Sequence, residues 1–183
     1  MNCPVCKTTE MLSTELEANL SSLKCERCGG NWIRGLAYWK WLEQHGPNLP
    51  ERTEPTEGES LPEAHEMRWC PECKSLMFQY RVGRGLSFSL DQCPGCKGIW
   101  FDSNEWEALK ARNLHDDIHA ILTAPWQAAV NREERKRRLE QMYIRRFGEE
   151  DYAEIKRVRG WLDNHQFKQE LLAYLTDQDP LSI

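Results

Sequence analysis

Residues 70–73 read Cys-Pro-Glu-Cys, and residues 93–101 read Cys-Pro-Gly-Cys-Lys-Gly-Ile-Trp-Phe, with nineteen residues between the two pairs. A Cys-x-x-Cys pair on a tight turn aims two thiolates at one point about 2.3 Å from each sulfur. Two such pairs brought together by a hairpin complete a tetrahedron around zinc, and this spacing is a zinc signature. The intervening residues suit the hairpin. Met77 to Val82 and Leu86 to Leu90 alternate as strands, with Gly83-Arg84-Gly85 as the turn.

The pattern occurs twice. Cys3-Pro-Val-Cys6 is followed, after eighteen residues, by Cys25-Glu-Arg-Cys28-Gly-Gly-Asn-Trp32. The copies are offset by 67 residues at the first pair and 68 at the second, so one extra hairpin residue accounts for the slip. In the first copy Met11 to Glu17 and Leu20 to Lys24 read as strands flanking Ala18-Asn19. Two tandem modules are the economical reading. Gly29, Gly30, Gly95 and Gly98 lie in or just after the second knuckle, where positive φ and close approach to sulfur are expected. A module of about 40 residues buries too little to fold alone. Structural zinc, contributing about 10–16 kcal/mol in comparable peptides, reverses that deficit. Two structural Zn2+ ions per chain are therefore expected, held by Cys3, Cys6, Cys25 and Cys28 and by Cys70, Cys73, Cys93 and Cys96.

Other readings of the cysteines stay open. Disulfides are disfavoured in a reducing compartment. A redox-active Cys-x-x-Cys usually occurs once, not four times in a duplicated pattern. Iron fits the same four-thiolate set.

The run Cys-Pro-x-Cys … Cys-Pro-x-Cys-x-Gly-Ile-Trp-Phe-Asp-x-x-Glu resembles a family of small bacterial zinc ribbons named for the ribbon of transcription factor IIB. Cys70 to Leu109 match almost throughout, including Trp100, Asp102 and Glu105. The first copy keeps the cysteines, Gly29-Gly30 and Trp32 but has Arg34 and Ala37 where the acidic pair would be. The resemblance implies a zinc-ribbon fold. Its link to transcription is carried only by the family name, because one fold hosts many functions.

Around the ribbons the composition changes. The expected organisation is a ribbon at 1–45, a Pro- and Glu-rich extended linker at 46–67, a ribbon at 68–112 and a helical region at 113–183. The fold class is small α+β, two tandem ribbons each followed by a short helix, with an all-α C-terminal region. Asp102 and Glu105 are expected to form a capping box opening a helix from Ser103 to about Arg112. Trp32 and Trp100 are expected to shield the metal sites. His115 and His119, separated by Asp116 and Asp117, read as a solvated helix face. Pro125 suits a helix start, Gly148 an end, and Tyr152, Ile155, Val158 and Leu162 form one helical stripe.

The net charge of −5 gives no support to a strongly phosphate-binding protein. Arg132, Arg135, Lys136, Arg137 and Arg138 form the one local basic cluster; interleaved with Glu133 and Glu134, it reads first as a solvent-exposed helix face supported by i,i+4 ion pairs, with a contact for nucleic acid or a partner as the alternative. No run approaches the roughly 18–20 apolar residues of a membrane span. The opening residues have neither a basic nor an apolar signal region, so a cytoplasmic protein is expected. A four-cysteine site is closed and cannot activate water, so no enzyme and no small-molecule substrate are expected. The leading expectation is a non-catalytic adaptor with a protein partner. The alternatives are a nucleic-acid-associated protein linked to transcription, and a chaperone or assembly factor with DnaJ-like zinc modules.

Overall fold

A computed structural model describes residues 1–45 and 66–178; most of the expected linker, and the last five residues, lie outside the described residues. The described chain forms two compact units, Met1–Asn131 and Arg132–Ile183.

In the first unit each cysteine module builds three strands. The first contributes β1 (Leu12–Glu17), β2 (Leu20–Lys24) and β3 (Asn31–Ile33), followed by helix α1 (Gly35–His45). The second contributes β4 (Phe78–Gly83), β5 (Leu86–Gln92) and β6 (Ile99–Phe101), followed by α2 (Glu105–Ala111). The expected hairpins are present. In the second, Arg84 and Gly85 both have positive φ, as a two-residue type I′ turn requires. The short strands β3 and β6 were not anticipated, and they join the ribbons. They pair antiparallel, Trp32 opposite Trp100, giving one six-stranded sheet in the order β1-β2-β3-β6-β5-β4.

Alternation along the central strands feeds two cores. Ile33, Ile99 and Phe101 point into one with Leu20, Phe88, Leu90, Tyr38, Trp41, Trp106 and Leu109. Trp32 and Trp100 point the other way, into a cluster with Met11, Met77 and the cysteines. Residues on β3 and β6 are buried on both faces, which explains why every one is apolar except Asn31.

Residues 113–131, grouped by sequence with the helical region, pack with the ribbons instead. Leu114, Ile118 and Ile121 complete the helix-side core, the last two on the short helix α3 (Ile118–Ile121). The start of α4 (Ala124–Phe147) covers the edge strand β4. The Gln127 amide accepts from the Arg81 N–H at 3.0 Å and donates to the Arg81 carbonyl at 2.9 Å, as a neighbouring strand would. The Trp126 indole donates to the Val82 carbonyl at 2.9 Å, and Arg84 lies 4.3 Å over its ring. This blocks further strand pairing there.

The second unit holds the rest of α4, then α5 (Glu149–Asp163) and α6 (Lys168–Thr176). Gly148, with φ of 89°, ends α4 as expected. Tyr143 stacks on Tyr152, and Lys156 reaches Glu140 at 3.1 Å, so α4 and α5 form a helical hairpin. No helix among the described residues is long and apolar enough to cross a membrane.

Candidate metal centres

The eight cysteines converge as two groups of four, Cys3, Cys6, Cys25, Cys28 and Cys70, Cys73, Cys93, Cys96. Within each group the sulfurs lie within 4.8 Å of one another. A tetrahedron of sulfurs 2.3 Å from a central zinc has edges of about 3.8 Å. The separations are 3.7 Å for Cys3–Cys28, 3.9 Å for Cys6–Cys25, 3.5 Å for Cys70–Cys96 and 3.2 Å for Cys73–Cys93. All are far longer than the roughly 2.05 Å of a disulfide, and all eight cysteines are free.

The knuckles explain the aim of the thiols. The residue after the second cysteine of each pair returns its N–H to the first cysteine's carbonyl. These bonds are Lys7 to Cys3 at 2.9 Å, Gly29 to Cys25 at 2.8 Å, Lys74 to Cys70 at 3.1 Å and Lys97 to Cys93 at 3.0 Å. All four have positive φ. The positive-φ part of the glycine expectation is corrected, because among Gly29, Gly30, Gly95 and Gly98 only Gly29 sits in that conformation; the close approach to sulfur holds at Gly95, where a Cβ would lie 3.6 Å from Cys73 Sγ. Gly30 and Gly98 serve another purpose. A Cβ at Gly30 would lie 2.2 Å from the Trp100 ring, and one at Gly98 would lie 2.1 Å from the Trp32 ring. Each ribbon's tryptophan therefore lies against the other ribbon's knuckle glycine. Trp32 and Trp100 do shield the metal clusters, and they do so reciprocally.

The donor set fits zinc. Four sulfurs this close cannot all ionise without a cation. Burial, then the neighbouring sulfurs, push Cys28 and Cys96 up. The Ser75 hydroxyl and N–H bring Cys73 down to about 6. A divalent ion at the centre replaces mutual repulsion with attraction, and thiolate ligation by zinc deprotonates the set. The four thiolates would fill zinc's tetrahedral shell, leaving no position for water.

Beside the second site lies a charge network that the sequence reading missed in part. Buried Arg68 donates from Nη1 to Asp91 Oδ2 at 2.7 Å and from Nη2 to Asp102 Oδ2 at 2.8 Å. The Trp100 indole donates to Asp102 Oδ1 at 2.9 Å. The Asp102 N–H donates to Glu105 Oε2 at 2.8 Å. Glu105 thus reaches back as a capping box predicts. The other half is corrected: Asp102 spends its carboxylate on Arg68 and Trp100, and α2 begins at Glu105 behind a left-handed Asn104. Burial, reinforced by Asp102, pushes Glu105 up to about 8, and burial pushes Asp91 up to about 6. Asp91 falls on the polar alternation of β5 with Ser87 and Ser89, so nothing local marked either it or Arg68.

The first ribbon lacks this network. Arg34 replaces the aspartate and pairs with Glu72 of the other ribbon. The Trp32 indole N–H, buried, consequently finds no acceptor among the described residues.

The histidine expectation fails for His115, which is buried between Trp41 and Trp106 and lies outside any helix. Its backbone carbonyl accepts from the Tyr38 hydroxyl at 3.2 Å. His119 is exposed beside Trp39, 5.7 Å between centroids. Arg132, Arg135, Lys136, Arg137 and Arg138 lie exposed along α4, where Arg138 meets Glu134 at 4.0 Å.

The family model of the TFIIB-type zinc ribbon, a transcription factor zinc-finger, matches residues 69–112. No curated protein and no solved structure gives a significant match. Residues 69–112 thus match the TFIIB-type zinc ribbon, and the two four-cysteine clusters fit two zinc ribbons sharing one sheet.

Proposed function

We propose that this protein is a non-catalytic zinc-binding adaptor of the cytoplasm, acting through protein–protein contact, and that its second ribbon carries the docking face. The supporting observation is a difference between the two copies at one geometric position. In each ribbon the residue before the first cysteine bridges a residue at the start of the hairpin, Asn2 to Glu10 and Trp69 to Leu76. The next hydrogen bonds match too, Met11 N–H to the Met1 carbonyl and Met77 N–H to the Arg68 carbonyl. In the first ribbon this outward face carries Asn2, Glu10 and Leu12. In the second it carries Met67, Trp69, Leu76 and Phe78, alternate residues of two paired segments and hence on one face. Met67, Trp69 and Phe78 are 79%, 59% and 52% exposed.

One scaffold with two surfaces argues that the apolar one is there for contact. Trp, Phe and Met are enriched in interface cores, and exposed aromatic clusters mark binding sites. The closed zinc sites hold this face rigid and take no part in chemistry.

The test is affinity purification of the zinc-loaded protein beside its Trp69→Ser/Phe78→Ser variant. Both positions are exposed, so the variant should keep two zinc ions and wild-type unfolding behaviour. A stoichiometric protein partner retained by the wild type and lost from the variant is the expected result. Equal recovery of the same proteins by both would refute the docking face.

A further inference from the structure

The two metal sites share a ligand set but not an enclosure. Cys73 is the only exposed one of the eight cysteines, and its counterpart in the first ribbon, Cys6, is half-buried. The cover differs at one position, between the last two cysteines of each site. The second ribbon has Gly95 there, and a Cβ on it would lie 3.6 Å from Cys73 Sγ and 3.7 Å from the Ser75 hydroxyl. The first ribbon has Arg27. The side chain that would stand over this sulfur is therefore missing from the second ribbon alone. The hydrogen bonds differ as well. The Ser75 hydroxyl lies 3.3 Å from Cys73 Sγ, whereas its counterpart Thr8 donates to the Cys6 carbonyl at 3.3 Å. A hydroxyl donating to a thiolate draws charge from the sulfur and loosens its hold on a metal. Cys93 Sγ, on a buried residue, lies 3.2 Å from Cys73 Sγ.

We propose that the second ribbon is a peroxide-responsive site, in which Cys73 is the thiolate oxidised and Cys93 the thiolate that closes a disulfide with it. Thiolates react with peroxides where the oxidant reaches them, and buried structural cysteines are inert. The Cys73 thiolate attacks one peroxide oxygen; the S–O bond forms, the O–O bond breaks and hydroxide leaves. The Cys93 thiolate then attacks the sulfenic sulfur, forming S–S and breaking S–O, and a second hydroxide leaves. Each sulfur has lost one electron, and the peroxide has taken both. Cys70 and Cys96 alone no longer fill a tetrahedral shell, so the second ribbon releases its ion while the first keeps its own.

Trp69 directly precedes Cys70, so under the docking function proposed above oxidation would also release a partner. The test reads zinc and sulfur only and stands without that reading.

The zinc-loaded full chain is exposed to hydrogen peroxide beside a chromophoric zinc indicator. One zinc per chain should leave at least about 5-fold faster than the other. Tandem mass spectrometry of the chain alkylated after that fast phase should find Cys73 joined to Cys93, with Cys3, Cys6, Cys25 and Cys28 all alkylated. A thiol reductant with added zinc should restore two ions. Gly95→Gln places an uncharged side chain over Cys73 and should slow the fast phase at least about 3-fold, with two zinc ions bound beforehand. Release of both ions at one rate overturns the proposal. So does a first disulfide that omits Cys73 or Cys93, or a Gly95→Gln chain that binds both ions and reacts at the wild-type rate.

Discussion

Replacing Glu105 with Gln isolates one buried carboxyl and predicts a specific pH signature. Glu105 is 4% exposed. Burial, with the Asp102 charge beside it, outweighs the Asp102 N–H and the more distant Arg68 and places its ionisation near pH 8, against an ordinary 4.5. The folded state therefore keeps a proton that the unfolded state releases. The associated stability is fully present below about pH 4.5 and is lost as pH rises to about 8. The slope is about 1.36 kcal/mol per pH unit until the group begins to ionise, so the wild type should lose about 2 kcal/mol between pH 6 and pH 8 from this group alone. Gln cannot ionise, yet its side-chain carbonyl can still accept from the Asp102 N–H. Urea unfolding of both zinc-loaded proteins, followed by tryptophan fluorescence from pH 6 to 9, measures the difference. Zinc release and the titration of Asp91, common to both chains, largely cancel in it. The variant should gain about 3 kcal/mol on the wild type across that range and then run parallel. Curves parallel throughout, within about 0.5 kcal/mol, would show that Glu105 is ionised in the fold and refute the reasoning.

Gly98→Ala should cost about 3 kcal/mol, because its Cβ would lie 2.1 Å from the Trp32 ring and the indole must leave the metal cluster. Gly95→Ala, three residues earlier and with its nearest neighbour at 3.6 Å, should cost under about 1 kcal/mol; equal urea midpoints for the two would defeat the account. Arg34→Asp offers the orphaned Trp32 indole the acceptor that Asp102 gives Trp100, so it should exceed Arg34→Ala in stability by about 1 kcal/mol. If the two unfold together, the indole has found no partner. Cys25→Ser/Cys28→Ser should remove one zinc and also weaken the second site by about 10-fold, since Trp32 packs on its knuckle. Competition with a chromophoric chelator reads this directly, and unchanged affinity at the intact site would show the ribbons to be independent.

The sequence made the local parts of the fold legible and the reciprocal parts illegible, for a physical reason. Thiol spacing, hairpin turns and the Pro125 and Gly148 helix boundaries depend on contacts within a few residues. The partner of Gly98 is Trp32, in the other copy, and no spacing rule reaches across that distance. Gly30 and Gly98 consequently looked like conformational glycines when they are steric ones. The same blindness applied to Arg68, whose partners Asp91 and Asp102 lie 23 and 34 residues away. It applied to His115, whose acidic neighbours suggested water while Trp41 and Trp106 enclose it. Residues 113–131 were assigned by composition to the helices beyond them, but Leu114, Ile118 and Ile121 belong to the ribbon core.

The two copies agree at the tryptophan seam and differ beyond it. Trp32 pairs with Trp100, and Gly30 and Gly98 exchange the same role; altering one would break a contact for both. Away from that seam the constraint lapses. Arg34 and Ala37 stand for Asp102 and Glu105, and Asn2 and Glu10 for Trp69 and Leu76. The first ribbon has thereby lost the buried network that anchors Arg68, and its Arg34 bridges to Glu72 on the second ribbon's knuckle instead. Under the proposed docking function the ribbons do unequal work: the first serves mainly as a rigid backing for the second, which carries the apolar face. Loss of the first zinc should therefore impair partner binding without touching any docking residue, whereas Trp69→Ser/Phe78→Ser should impair it with both zinc ions in place.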